Sequence, residues 1–195
     1  MRKNVLLVAV VLVVALCLSA CGVSQSQLDN ISKLIQQDYS KVTLNVITVV
    51  GDTTLTGIYE MTYSGSTTTV NYDYYKLNEL DMTGNNPSSY TSRVQGTVVI
   101  ENGNIVSGDD SVVLPDELAF ANLNFNKDFF NNAKSQQAKF EADVTNPSAF
   151  VQNSTLVCED MHIAVYHTDS VVSKMEITYS TPSGAQVTVT YMFTK

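Results

Sequence analysis

The stretch VVSKMEITYSTPSGAQVTVTYMF, residues 171–193, decides the fold. β-Branched and aromatic residues alternate with polar ones on both sides of Pro182-Ser183-Gly184. A period of two belongs to strands with one covered face. Pro182 presets the backbone angle that opens a type I turn, and Gly184 suits the left-handed position of a G1 bulge. A hairpin closed there sets Tyr179 against Val187, Ile177 against Val189 and Met175 against Tyr191 on the inner side. Thr178 then meets Thr188, and Glu176 meets Thr190, on the outer side. This is an antiparallel sheet with one wet face.

The same period runs backwards through the chain. TLVCEDMHIAVYHT (155–168) puts Val157, Met161, Ile163 and Val165 on one face. VTLNVITVV (42–50) and TLTGIYEMTY (54–63) alternate likewise. A turn over Gly51–Thr54 would oppose Val50 to Leu55, Val46 to Tyr59 and Leu44 to Met61. Gly65-Ser66 fits a type II′ turn, which sets Met61 against Val70, Tyr59 against Tyr72 and Gly57 against Tyr74. An aromatic ring over a strand glycine makes good its missing side chain. Asn102-Gly103 predicts a type I′ turn with Ile100 opposite Ile105, and LDMTGNNPSSYTS (80–92) reads as a loop.

Two segments break the period. In SQLDNISKLIQQDYSKV (26–42), Leu28, Ile31, Leu34 and Ile35 recur at helical spacing, and Ser26 with Asp29 resembles a capping box. Residues 108–153 carry six of the seven phenylalanines, including Phe125 and Phe129. There Leu118, Ala121, Phe125, Phe129 and Ala133 fit a helix. So apolar an insertion must pack on something rather than hang free. The expected fold is α+β and mostly β. One N-terminal helix packs on a curved antiparallel sheet, with a helical or irregular insertion before the last strands.

The first residues have another purpose. Arg2 and Lys3 precede an unbroken apolar run of 12 residues, Val5–Leu16, and small residues follow. That order is a secretory leader, and the run is too short for a membrane span of about 20 residues. Leu18-Ser19-Ala20-Cys21 resembles the lipobox of bacterial lipoproteins. The resemblance implies cleavage before Cys21, a diacylglycerol thioether on its sulfur, and acyl chains such as palmitate. Residues 1–20 are then the leader, 21–26 a lipidated tether and 27–195 one β-rich domain. The expected location is the extracytoplasmic face of the cell membrane, held by lipid.

Composition narrows the function. Loss of Arg2 and Lys3 with the leader takes the formal charge from −8 to −10. So acidic a chain lacks the basic footprint of a nucleic-acid binder and is repelled by an anionic bilayer, so lipid must hold it there. Cys17 leaves with the leader and Cys21 carries lipid. Cys158 is then alone, and no internal disulfide is expected.

No nucleophile elbow, phosphate loop, dinucleotide fingerprint or paired Cys-x-x-Cys occurs, so no enzyme activity and no cofactor are expected. Cys158, Asp160 and His162 share strand parity. Two residues along a strand is roughly 7 Å, so Cys158 and His162 would be about 13 Å apart, too far for a dyad or a single metal. They read as a solvent-facing polar edge. Asp109, Asp110, Asp116 and Glu117 lack the spacing of an EF-hand loop and read as solvated acids. Tyr59, Tyr63, Tyr72, Tyr74, Tyr179 and Tyr191 lie on the predicted inner faces. Tyrosine brings an apolar ring and a polar tip, so these positions suit either a packed core or a half-wet cavity.

The element order is similar to that of the LolA/LolB-type half-barrel lipoprotein carriers. That resemblance implies a curved sheet, covered by helices, that holds acyl chains. It carries over no functional residue: Trp is absent here, and the family's Arg contacts have no counterpart. The expected function is a membrane-anchored, non-enzymatic binder of an apolar ligand, with Tyr59, Tyr72, Tyr74, Phe125 and Phe129 as candidate contacts. The alternative is an envelope-structural or protein-interaction lipoprotein with no small-molecule ligand.

Overall fold

The computed structural model describes residues 22–77, 91–109, 112, 114–115, 118, 123–151 and 157–195. Ten antiparallel strands form one curved, unclosed sheet. They are β1 (Lys41–Val50), β2 (Thr53–Ser64), β3 (Thr67–Leu77), β4 (Thr91–Glu101), β5 (Asn104–Ser107), β6 (Phe130–Gln136), β7 (Lys139–Val144), β8 (Glu159–His167), β9 (Val172–Ser180) and β10 (Gln186–Thr194). Their order across the sheet is β5-β4-β3-β2-β1-β10-β9-β8-β7-β6. Two five-stranded meanders therefore meet at a central seam, where Lys41 opposes Thr194 and Val49 opposes Gln186.

The C-terminal hairpin has the register read from its alternation, Tyr179 opposite Val187 and Met175 opposite Tyr191, and Gly184 takes φ +83°. The β2–β3 pairs are also as expected, with Tyr59 opposite Tyr72 and Gly57 opposite Tyr74. Asn102 and Gly103 both have positive φ, as a type I′ turn requires, and Ile100 opposes Ile105. The β1–β2 register differs from the expected one by two residues. The turn is the tighter pair Gly51-Asp52, so Val50 opposes Thr53, Leu44 opposes Tyr59 and Val42 opposes Met61. A slip of two keeps every side chain on its face, so the core set is unchanged.

Helix α1 (Gln25–Ile35) covers the inner face beside β9 and buries Leu28, Ile31, Leu34 and Ile35. Its cap is Ser24 with Gln27, not Ser26 with Asp29. The longer Gln27 side chain reaches back to accept from Ser24 N at 2.9 Å, while Asp29 accepts from Gln25 Nε2 at 2.8 Å. The helix thus begins two residues before the expected start of the domain.

The phenylalanine-rich insertion is not the expected helix through Ala133. Its described part holds the 3₁₀ turn Lys127–Phe129, then the β6–β7 hairpin, then the four-residue helix α2 (Pro147–Phe150). The helical spacing misled because β6 is an exposed edge strand with no inward alternation, and a bulge between Asn131 and Lys134 shifts its register. β5 and β6 are the two edges of the sheet, so the chain between them must cross its width. Laid flat, that is about 43 Å at roughly 4.8 Å per strand. Val112, Leu114 and Leu118 pack half-buried against the core on the way, and Leu123 and Phe125 are buried.

A second bulge separates Glu159 from His162, with Asp160 at φ +49°. It cancels the parity expected for 157–162. Met161, Ile163 and Val165 are buried as expected, but Val157 is 70% exposed. Cys158 packs against the core whereas His162 reaches Asp143 across the sheet, so the two do not share a polar edge.

Candidate functional site

Tyr59, Tyr72 and Tyr74 come together on the inner face of β2 and β3. The Tyr59 and Tyr74 rings stack at 5.9 Å, and Tyr72 meets Tyr74 at 6.0 Å. Tyr59 and Tyr72 are buried and Tyr74 is half-buried. Burial raises the Tyr74 phenol above its ordinary value, and the nearby Tyr72 and Asp109 add to this. The strand glycines make room for the rings. A Cβ on Gly57 would lie 3.0 Å from the Tyr59 ring, and one on Gly96 would collide with the Tyr72 ring. The ring nearest Gly57 is thus that of Tyr59, two residues along its own strand, rather than the opposing Tyr74.

Phe125 belongs to a second group of rings within the same core. Its ring meets Phe130 at 6.0 Å, Phe140 at 6.3 Å and Phe150 at 5.6 Å. Phe130 also meets Phe140 and Phe150 edge-on, at 5.6 and 5.5 Å. Edge-to-face contact at these separations is the preferred packing of aromatic rings. Phe140 and Phe150 are fully buried. Phe129 is only half-buried, and its neighbour Phe130 takes the inward place. Phe130, Phe140 and Phe150 are not among the contacts expected from the sequence. The alternation of Phe140, Ala142 and Val144 was the available signal, and all three are buried. The tyrosine and phenylalanine clusters are separated in the sheet order by β1, β10, β9 and β8. The five candidate residues thus belong to or pack against one continuous core but lie in different parts of it.

A groove of about 510 Å³ opens elsewhere, where the C-terminal end of α1 meets the β2–β3 turn. Ile35, Gln36, Gln37, Asp38, Tyr39, Tyr63 and Gly65 line it, and none of these is a candidate contact. Burial pushes the Tyr63 phenol up to about 12, and its hydroxyl meets Met61 Sδ at 3.5 Å. Tyr39 is tied down at both ends of its hydroxyl: it donates to Leu34 O at 2.8 Å and accepts from Val172 N at 3.0 Å. Burial raises its phenol above the ordinary value, and the Val172 bond works the other way.

The polar groups hold one another. Asp143 accepts from Asn132 Nδ2 at 2.6 Å and lies 2.9 Å from His162 Nδ1, and these two contacts hold its carboxyl below the usual range. Arg93 makes a two-pronged pair with Asp73 across β3 and β4. Lys139 pairs with Glu141, and Lys174 with Glu176. Among the described residues no group of three or more His, Cys, Asp or Glu could hold a metal ion, and no helix is long and apolar enough to cross a membrane. Cys21, Phe120, Asp110, Asp116 and Glu117 lie outside the described residues. Compared with known proteins, the chain matches no protein-family model and no curated sequence.

Proposed function

We propose that the chain is a lipid-anchored extracytoplasmic protein, non-enzymatic, held at the cell membrane by acyl chains on Cys21. In this reading it acts through its outer surface, as an envelope-structural or protein-interaction lipoprotein. The observation that carries the second half is the packing of its inner face. The phenylalanine rings fill the space between β6, β7 and the segments that cover them, with Phe140 and Phe150 at 0% exposure. The groove of about 510 Å³ at the C-terminal end of α1 is lined by Gln36, Gln37 and Asp38 beside Ile35, Tyr39 and Tyr63, whereas a pocket for an acyl chain is lined predominantly by hydrophobic side chains. The first half is supported by the lipobox and by the order of the leader.

An apolar ligand is the second reading. Tyr74, Phe129 and Leu118 favour it, since they are half-buried hydrophobic groups at the margins of the core. Native mass spectrometry of the mature protein, extracted from cells in mild detergent, separates the two. The polypeptide with only its covalent lipid is expected. A stoichiometric extra mass of a lipid or acylated molecule would overturn the first reading in favour of the second.

A further inference from the structure

We propose that the end of the sheet carrying the β1–β2 turn, the β9–β10 turn and Val157 lies against the bilayer, so that Val50 and Val157 touch lipid and the groove at Ile35–Tyr39 opens away from it. This rests on the lipidation of Cys21 proposed above.

The argument starts from the tether. Only Gly22 and Val23 separate Cys21 from the N-cap Ser24. Three residue steps span at most about 10 Å, so the start of α1 must stay that close to the lipidated sulfur. Gln25, the first helical residue, donates from Nε2 to Phe125 O at 2.8 Å and accepts from Lys127 N at 2.9 Å. Lys127 leads directly into Phe130, which opposes Val144 at the end of β7. This is the end of the sheet where β1 finishes and β8 begins, since the pairs Val49–Gln186, Gln186–Ser180 and Ser180–Glu159 run across it in one row. The turns Gly51-Asp52 and Thr181–Ala185 project from the same end. The helix then runs away from it, and Tyr39 reaches Val172 and Phe193 at the opposite end. The groove is there.

The side chains at the tether end suit shallow contact with lipid. Val50 ends β1 next to the Gly51-Asp52 turn and is 39% exposed, and Val157 is 70% exposed beside the start of β8. Asp52, Asp128, Glu159 and Asp160 share this end. Carboxylates are costly to bring into hydrocarbon, so contact must stop at the headgroup boundary, with the turn tips touching and the charges in water. The partner is therefore a bilayer surface reached by a few apolar tips, with the acyl anchor supplying the binding strength.

The test uses the full-length lipidated protein in phosphatidylcholine vesicles, with Cys158→Ser and one new thiol at a time. Cys21 offers no thiol once its sulfur is a thioether. Val50→Cys, Val157→Cys and Pro182→Cys report the tether end, and Ser66→Cys reports the groove end. All four sites are exposed or lie in turns, and each is labelled with an environment-sensitive fluorophore. Labels at the tether end should lie within about 5–10 Å of the headgroup boundary and lose at least about half their fluorescence to headgroup nitroxides, whereas the label at 66 stays unquenched. Equal quenching at all four sites, or stronger quenching at 66, would overturn the orientation alone. Flotation of the unlabelled protein with the vesicles reads the anchor separately. Protein that does not float overturns the Cys21 reading, and the orientation with it.

Discussion

Replacing Tyr39 with phenylalanine removes one oxygen atom and keeps the ring that meets Phe193, tilted, at 4.9 Å. That oxygen joins two elements, the end of α1 through Leu34 O and the start of β9 through Val172 N. Val172 is 1% exposed, so its N–H would be left without water or partner. An unsatisfied buried donor costs about 1–3 kcal/mol. Leu34 O keeps a weak contact with Gln37 N at 3.4 Å, so its share is smaller. Together the loss should be about 2–3 kcal/mol. For a chain of this size that lowers Tm by roughly 4–12 °C, at about 2–4 °C per kcal/mol. Tyr63→Phe is the matched control. It removes the hydroxyl of a half-buried, groove-lining ring that meets only a thioether sulfur among its described hydrogen bonds, so it should be neutral to within about 0.5 kcal/mol. Urea unfolding of the chain from Gly22 onward, followed by circular dichroism, measures both. Equal changes for the two variants, or no loss for Tyr39→Phe, would refute the idea that this hydroxyl clamps the helix to the sheet.

Two further outcomes follow from local geometry. Gly184→Val should cost about 1–2 kcal/mol, because φ +83° is strained for a β-branched residue although nothing lies within 4 Å of the new Cβ; a Tm unchanged to within a degree would mean the turn can reorganise freely. The Asp143 carboxyl is lowered by its bonds to Asn132 and then His162, so its contribution to stability is complete above the ordinary carboxylate range, near about pH 4, and is lost as pH falls through the depressed value. Urea midpoints measured from pH 7 down to acid should therefore drop more steeply for the wild type than for Asp143→Asn, and parallel curves would show that the pair contributes nothing.

The sequence made the fold legible wherever a short turn joined two strands of clear alternation. Gly65-Ser66, Asn102-Gly103 and Pro182-Ser183-Gly184 each set a register that the structure reproduces. At Gly51-Asp52 two turn lengths preserve the same faces, so alternation could not choose between them. The insertion failed for a different reason. Edge strand β6 displays Asn131, Asn132, Lys134 and Ser135 to solvent, and such a strand has no inward period to read. The tyrosine cluster was visible because its members share parity on adjacent strands. The phenylalanine cluster joins Phe125, Phe140 and Phe150 from separate elements, and only tertiary packing brings them together. Tyr39 carries no such signal, because its importance lies in a bond to Val172, which no local pattern records.

The central seam has a consequence for how this molecule comes into being. Each five-stranded meander can zip from hairpin to hairpin through contacts close in sequence, but β1 finds its second neighbour only in β10, far along the chain, where Lys41 meets Thr194. Non-local pairing of this kind is slow, because closing a long loop costs entropy before any contact repays it. An emerging polypeptide would hold β1 with one edge bare until residues 186–194 arrive. The order of synthesis thus makes residues 186–194 the step that welds two half-built sheets into one.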